Sequence, residues 1–142
     1  MTPLAVDMPE LCLALEADPG DVRWFLDLRS GDVILVNDEY APEEHDGVSV
    51  DDLESDTTSF CQVPAADPKD VVADMRAFVE QLADVQLKES LELALAAPKP
   101  ERRFKAALQW LPTELERWHT FRQQRCQHRA TAWLESLGIQ AR

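Results

Sequence analysis

Residues 24–36 read Trp-Phe-Leu-Asp-Leu-Arg-Ser-Gly-Asp-Val-Ile-Leu-Val, and this stretch decides the fold class. Trp24, Leu26 and Leu28 alternate with Phe25, Asp27 and Arg29, which is the two-residue period of a strand with one apolar face. Val33 to Val36 form a second run, rich in β-branched residues, and Ser30-Gly31 supplies the tight turn between the two. A lone hairpin is marginal in water, so its apolar face requires a cover from elsewhere in the chain.

On the N-terminal side, Asp7-Met8-Pro9-Glu10 has an Asp cap followed three residues later by Glu, with Pro9 in the first turn where its missing N–H costs little. A short helix follows, with Leu11 and Leu15 on one face, and Asp18-Pro19-Gly20 stops it. On the C-terminal side, no Lys or Arg occurs between Ser30 and Pro68, while eleven acids do. Like-charge repulsion of that density predicts a solvated, mobile loop over 38–58, with order returning at Phe60-Cys61-Gln62-Val63 as a third strand.

From there the period changes to that of helices. Asp67-Pro68 opens one in which Val71, Met75, Phe78, Val79 and Leu82 recur at helical spacing, giving a helix over about 68–83. Leu87, Leu91, Ala94 and Leu95 continue the pattern after a break near Asp84, and Pro98-Lys99-Pro100 ends it. Glu101 to Leu111 forms a third helix with Phe104, Ala107, Leu108 and Leu111 on one side. Pro112 interrupts it, and Thr113-Glu114-Leu115-Glu116 is a capping-box pattern opening the longest helix, which runs to Leu137 and closes on Gly138. The order of elements gives an α+β fold: a small antiparallel sheet, made of the N-terminal hairpin and a third strand, packed on C-terminal helices with a long last helix. Residues 1–142 are read as a single domain.

Composition agrees with a chain that buries a core: 142 residues, 45% hydrophobic. The formal net charge is -13, and residues 1–71 carry 3 basic and 18 acidic side chains against 11 and 9 in residues 72–142. That balance opposes a generally basic nucleic-acid binder while leaving a local basic face in the second half. The first 17 residues contain no Lys or Arg and interrupt their apolar stretch with Asp7, Pro9 and Glu10, unlike a signal peptide. Cys12, Cys61 and Cys126 are an odd set without CxxC spacing, read as reduced thiols of a cytoplasmic protein.

Trp24-Phe25-Leu26-Asp27-Leu28 with Gly31 and Val33, Arg102-Arg103-Phe104-Lys105 with Leu108, the pair Trp118…Phe121-Arg122, and Ala132-Trp133-Leu134-Glu135…Gly138-Ile139 occur in one order along the chain. In that order and spacing the sequence resembles bacterial uncharacterised protein family 0158. The resemblance implies an architecture and a small cytosolic protein of unassigned activity, and it supplies no catalytic residue. The chain departs from the family pattern in its longer acidic loop and at Pro98-Lys99-Pro100.

The long helix carries the most informative chemistry. On a wheel at about 100° per residue, Leu115, Trp118, Cys126, Trp133 and Leu137 share a side with Arg122, Arg125 and Arg129. The opposite side holds Glu116, Thr120, Gln123, Gln124, Gln127, Thr131 and Glu135. Guanidiniums beside an apolar stripe need negative company, because uncompensated desolvation costs several kcal/mol. Acids of the N-terminal half, Asp27 foremost, are one source of it. Otherwise Arg122, Arg125 and Arg129, with Arg102, Arg103 and Lys105, form an open site for an anion, or, with Trp118 as anchor, a surface for another protein.

Catalytic motifs fail on their own geometry. Glu116-x-x-His119 presents two metal ligands one turn apart, but a di-metal bundle needs a second copy. Cys126 and His119 lie about 10 Å apart along the helix axis, too far for a nucleophile and its base. Aligning Gly47 with the sixth position of a calcium loop puts Pro42 first and Leu53 twelfth, where acids are required. The reading therefore assigns no catalytic residue, no metal and no cofactor, and leans away from an enzyme. Another protein is the expected partner, nucleic acid the alternative, and no membrane is involved; the oligomeric state is not read from the sequence.

Overall fold

The structure, a computed structural model, describes residues 2–17, 20 and 22–142. Among the described residues, five strands and six helices follow one another as β1 (Thr2–Leu4), α1 (Met8–Glu16), β2 (Arg23–Asp27), β3 (Val33–Val36), α2 (Val50–Ser55), β4 (Phe60–Gln62), α3 (Pro68–Glu80), α4 (Val85–Ala96), α5 (Pro100–Leu108), α6 (Pro112–Ser136) and β5 (Ile139–Ala141). They form two compact units, Met1–Ala66 with Cys126–Arg142, and Asp67–Arg125. Helix α6 begins in the second unit and ends in the first.

The first unit is built on the expected hairpin. β2 pairs antiparallel with β3, Phe25 opposite Ile34, and on its other edge with β4, Phe25 opposite Gln62, giving the order β3-β2-β4. Gly31 makes the turn possible. Its φ is +85°, and a Cβ there would lie 1.9 Å from the carbonyl oxygen of Ala5, so only glycine fits. One face of the sheet, through Leu26, Trp24 and Leu28, packs on α1 and on Ala130 and Leu134 of α6. Helices thus cover the apolar face, as the alternation requires.

The other face is not left to solvent. Phe25, Ile34, Val36 and Phe60 close with Leu53 of α2 into a second core, with Tyr40, Val48 and Val50 at its edge. This corrects the solvated loop expected over 38–58. The segment forms a 3-10 turn at Pro42–His45 and then α2, whose start is a capping box: Ser49 accepts from the Asp52 amide and Asp52 accepts from the Ser49 amide. Its charges point outward while Leu53 points in, so the acidic count masks a helix with one buried residue. Tyr40 Oη donates to the Val48 carbonyl at 2.7 Å and closes the loop between them.

A second, two-stranded sheet was not anticipated. β1 and β5 pair in parallel, Thr2 opposite Ile139 and Leu4 opposite Ala141, with Leu4 and Ile139 buried in the first core. Gly138, at φ +76°, turns the chain from α6 into β5. The Asp7 cap of α1 accepts from the Glu10 amide as expected; of the stop assigned to α1, Asp18 and Pro19 lie outside the described residues.

The second unit is helical. Met75, Phe78 and Val79 of α3, Leu91 and Leu95 of α4, Phe104 and Leu108 of α5 and Trp118 of α6 make one core. Its centre is aromatic: the Trp118 ring lies 5.0 Å from Phe104 and 5.5 Å from Phe78, both edge-on. Asp84 caps α4 by accepting from the Gln86 and Leu87 amides, which explains the break before it. α6 begins at Pro112, one residue ahead of the expected Thr113 cap, with proline at a first helical position that needs no N–H.

Candidate functional site

Most of the residues singled out on the long helix fall where the wheel puts them; Leu137, past the end of α6 at Ser136 and 38% exposed, does not. Trp118 and Cys126 are buried, Arg122, Arg125 and Arg129 are half-buried, and Gln123, Gln124 and Gln127 are exposed. The consequence for Trp118 is a correction: at 2% exposure it is a central residue of the helical core and presents no surface to a partner. The arginines do find negative company. Arg125 Nε donates to Asp74 Oδ1 at 2.9 Å, and its guanidinium lies 5.9 Å from the Phe121 ring centre. Arg122 and Arg129 are engaged within the protein as well.

The acid that meets Arg125 comes from α3, in the C-terminal half, and not from the hairpin. Asp74 is 2% exposed, so its carboxylate is the kind of group that must be charge-paired to be buried. Asp27 has a nearer partner. Arg29 reaches it with its amide at 2.9 Å, Nε at 3.2 Å and Nη2 at 3.3 Å. Burial pushes the Asp27 carboxyl upward, yet the hydrogen bonds and charge of Arg29 outweigh it, and the net displacement is below the usual carboxylate value.

The remaining reactive groups do not assemble into a catalytic arrangement. Glu116 and His119 are both exposed. Cys126 is buried, its Sγ 3.7 Å from the Cys12 carbonyl oxygen. Burial, followed by the Cys12 side chain and the charge of Glu16, pushes its thiol far above the ordinary value, which suppresses the thiolate a nucleophile needs. Among the described residues no group of three or more His, Cys, Asp or Glu side chains could hold a metal ion, and no helix is long and apolar enough to cross a membrane.

What lies open is α5. Phe104 and Leu108 bury its inner side, and Arg102, Arg103 and Lys105 are exposed on the outside. Lys99, held at φ +55° between two prolines, and Arg102, Arg103, Pro98 and Ala106 line a surface hollow of about 480 Å³. Arg103 Nε donates to the Pro98 carbonyl at 3.1 Å, which fixes the guanidinium at the rim. Among the described residues, Lys99, Arg102 and Lys105 make no ion pair. So of the seven residues the sequence reading grouped, the structure gathers Arg102, Arg103 and Lys105 on one exposed helix and Trp118 and Arg125 into packed or paired positions.

One residue of this surface escaped the sequence reading. Trp110, at 81% exposure, is the most exposed large apolar side chain among the described residues. The helical course continues through Gln109, at φ -54° and ψ -33°, and returns Trp110 to within about 20° of Arg103 on the wheel, two turns on. Leu111, next to it, is 37% exposed. The signal was present: Trp110 falls off the face that Phe104, Ala107, Leu108 and Leu111 define.

Fold and surface together describe a small α+β protein with a two-sided antiparallel sheet, a helical unit and a long C-terminal helix. The chain belongs to the uncharacterised protein family UPF0158, whose model matches residues 1–141. It is similar to UPF0158 protein PA5073 of Pseudomonas aeruginosa, with 29% identity over 140 residues that cover 99% of this chain and 88% of the relative. No solved structure gives a significant match.

Proposed function

We propose that the protein is a non-catalytic interaction module, an adaptor acting in the cytoplasm, which engages another protein through the outward side of α5 and Trp110. The observation that carries the reading is the indole of Trp110, 81% exposed just past a helix whose Arg102, Arg103 and Lys105 are also exposed. Tryptophan and arginine are the side chains that most often dominate binding energy at protein interfaces. An indole in water, two residues past a helix whose own aromatic, Phe104, is fully buried, is a side chain available to a second surface. Trp118, Arg125 and Asp74 enter this reading as the packing that holds the second unit together.

Affinity purification from native extract tests it. The wild-type chain captures a stoichiometric protein, and Trp110→Ala, with the fold checked by circular dichroism, loses it; capture that is indifferent to Trp110→Ala removes the reading. The second reading, a nucleic-acid-associated regulator, is favoured by the nine basic and four acidic residues of 99–142. A gel shift across a salt series separates the two, because phosphate contacts weaken steeply as counterions are added.

A further inference from the structure

The outward side of α5 is selective in sign as well as exposed, and this says what a partner must bring. From Lys99 to Leu111 the single acid is Glu101, half-buried and about 160° from Arg103 on the wheel. Lys99, Arg102 and Lys105 make no ion pair among the described residues. Arg103 uses one of its five N–H groups on the Pro98 carbonyl, an anchor that holds the side chain while four donors remain. The hollow of about 480 Å³ is lined by Pro98, Lys99, Arg102, Arg103 and Ala106. An apolar platform, Trp110, stands about 10 Å along the axis from Arg103.

We infer, building on the interaction reading above, that the segment of the partner that docks here is a short acidic stretch: carboxylates seat on Lys99, Arg102 and Arg103, and an apolar side chain lies against Trp110. The spacing suits such a segment. About 10 Å corresponds to three residues of extended chain, or to seven residues of helix, between the acid and the apolar side chain. The number of cations argues against a polynucleotide as occupant. Polynucleotide affinity grows with the number of phosphates neutralised, and Asp67–Arg125 balances 10 basic against 10 acidic residues, so this unit offers only the few local cations of α5, which suit a short acidic segment.

The probes are a fluorescein-labelled peptide alternating Glu with Leu, its counterpart with Gln in place of Glu, and a labelled oligothymidine of the same length, titrated with the full chain by fluorescence anisotropy. The Glu peptide binds at least about tenfold more tightly than the Gln peptide, and the preference disappears in Arg102→Glu/Arg103→Glu. Trp110→Ala weakens the two peptides by a similar factor. Equal affinity for the Glu and Gln peptides, affinity unchanged in the double variant, absence of binding to either peptide, or tighter binding of the oligothymidine overturns the inference. So does a dimer, seen by sedimentation, that the double variant abolishes, because it assigns this side to a second copy. Capture from extract that depends on Trp110 but ignores Arg102→Glu/Arg103→Glu removes the acidic segment and keeps the interaction reading; capture that ignores Trp110 removes the interaction reading itself.

Discussion

Two tryptophans eight residues apart lie in opposite surroundings, one exposed and one buried, and substituting each separates the core from the surface. Trp118→Ala empties the centre of the Phe78–Phe104–Trp118 cluster and costs about 3–5 kcal/mol, read as an earlier urea midpoint. Trp110→Ala leaves that midpoint within about 0.5 kcal/mol of wild type, since nothing of the core is removed. A midpoint that drops equally for both would mean that Trp110 is packed. Gly31→Ala forces a Cβ against the Ala5 carbonyl in a left-handed backbone and destabilises the first unit by about 2 kcal/mol or more. Asp27 gives the pH dependence. Its carboxyl titrates below its unfolded value when Arg29 holds it, so its contribution is complete above that value, near pH 4, and is lost as pH falls through the lower folded value. Denaturation measured from neutral to acid pH therefore shows a shallower loss for Asp27→Asn than for wild type below about pH 4; parallel curves would remove Asp27 from the acid response.

Among the elements, α2 is the helix the sequence concealed, and its dependence on two residues can be measured. Ser49→Ala removes half of the capping box and costs about 1 kcal/mol, while Leu53→Ala opens a hole under Phe25 and Phe60 and costs about 2–5 kcal/mol. Amide hydrogen exchange distinguishes them: the cap variant speeds exchange within Val50–Ser55 alone, whereas the core variant speeds β2, β3 and β4 together. Uniform acceleration in both would mean that the cap does more than start a helix. What was legible and what was not follows from the length of each pattern. The hairpin and helices α3 to α6 repeat an apolar period often enough to be read, with Gly31, Asp84 and Gly138 at their ends, whereas the three-residue β4 was read from apolar residues returning after the acidic run. α2 spans six residues with one inward side chain, and β1 and β5 span three each, too short for any period to emerge. The site divides in the same way. A wheel identifies which side of α6 is apolar, and the half-buried arginines lie on it, but a wheel says nothing of which acid arrives from another element, so Asp74 was missed and Asp27 was favoured.

At the scale of the whole molecule the charge is confined to one unit. Met1–Ala66 with Cys126–Arg142 holds 4 basic and 17 acidic residues, which is the entire net charge of -13, while Asp67–Arg125 holds 10 of each. Self-repulsion therefore opposes the folding of the first unit and is close to balanced in the second. Raising salt from about 0.01 M to about 1 M shortens the screening length from about 30 Å to about 3 Å, which relieves the repulsion between exposed acids such as Glu43, Glu44, Asp51 and Asp56. The expected outcome is directional: amides of β2, β3 and α2 exchange more slowly at high salt, and those of α3 and α4 change little. The Arg125–Asp74 pair belongs to the second unit and joins a half-exposed cation to a buried acid, so screening weakens it less than a surface pair. An acidic segment seated on the cations of α5, as proposed, would be loosened by the same salt series that tightens the sheet. A chain in which both effects ran in one direction would have its charge arranged otherwise than the division into units requires.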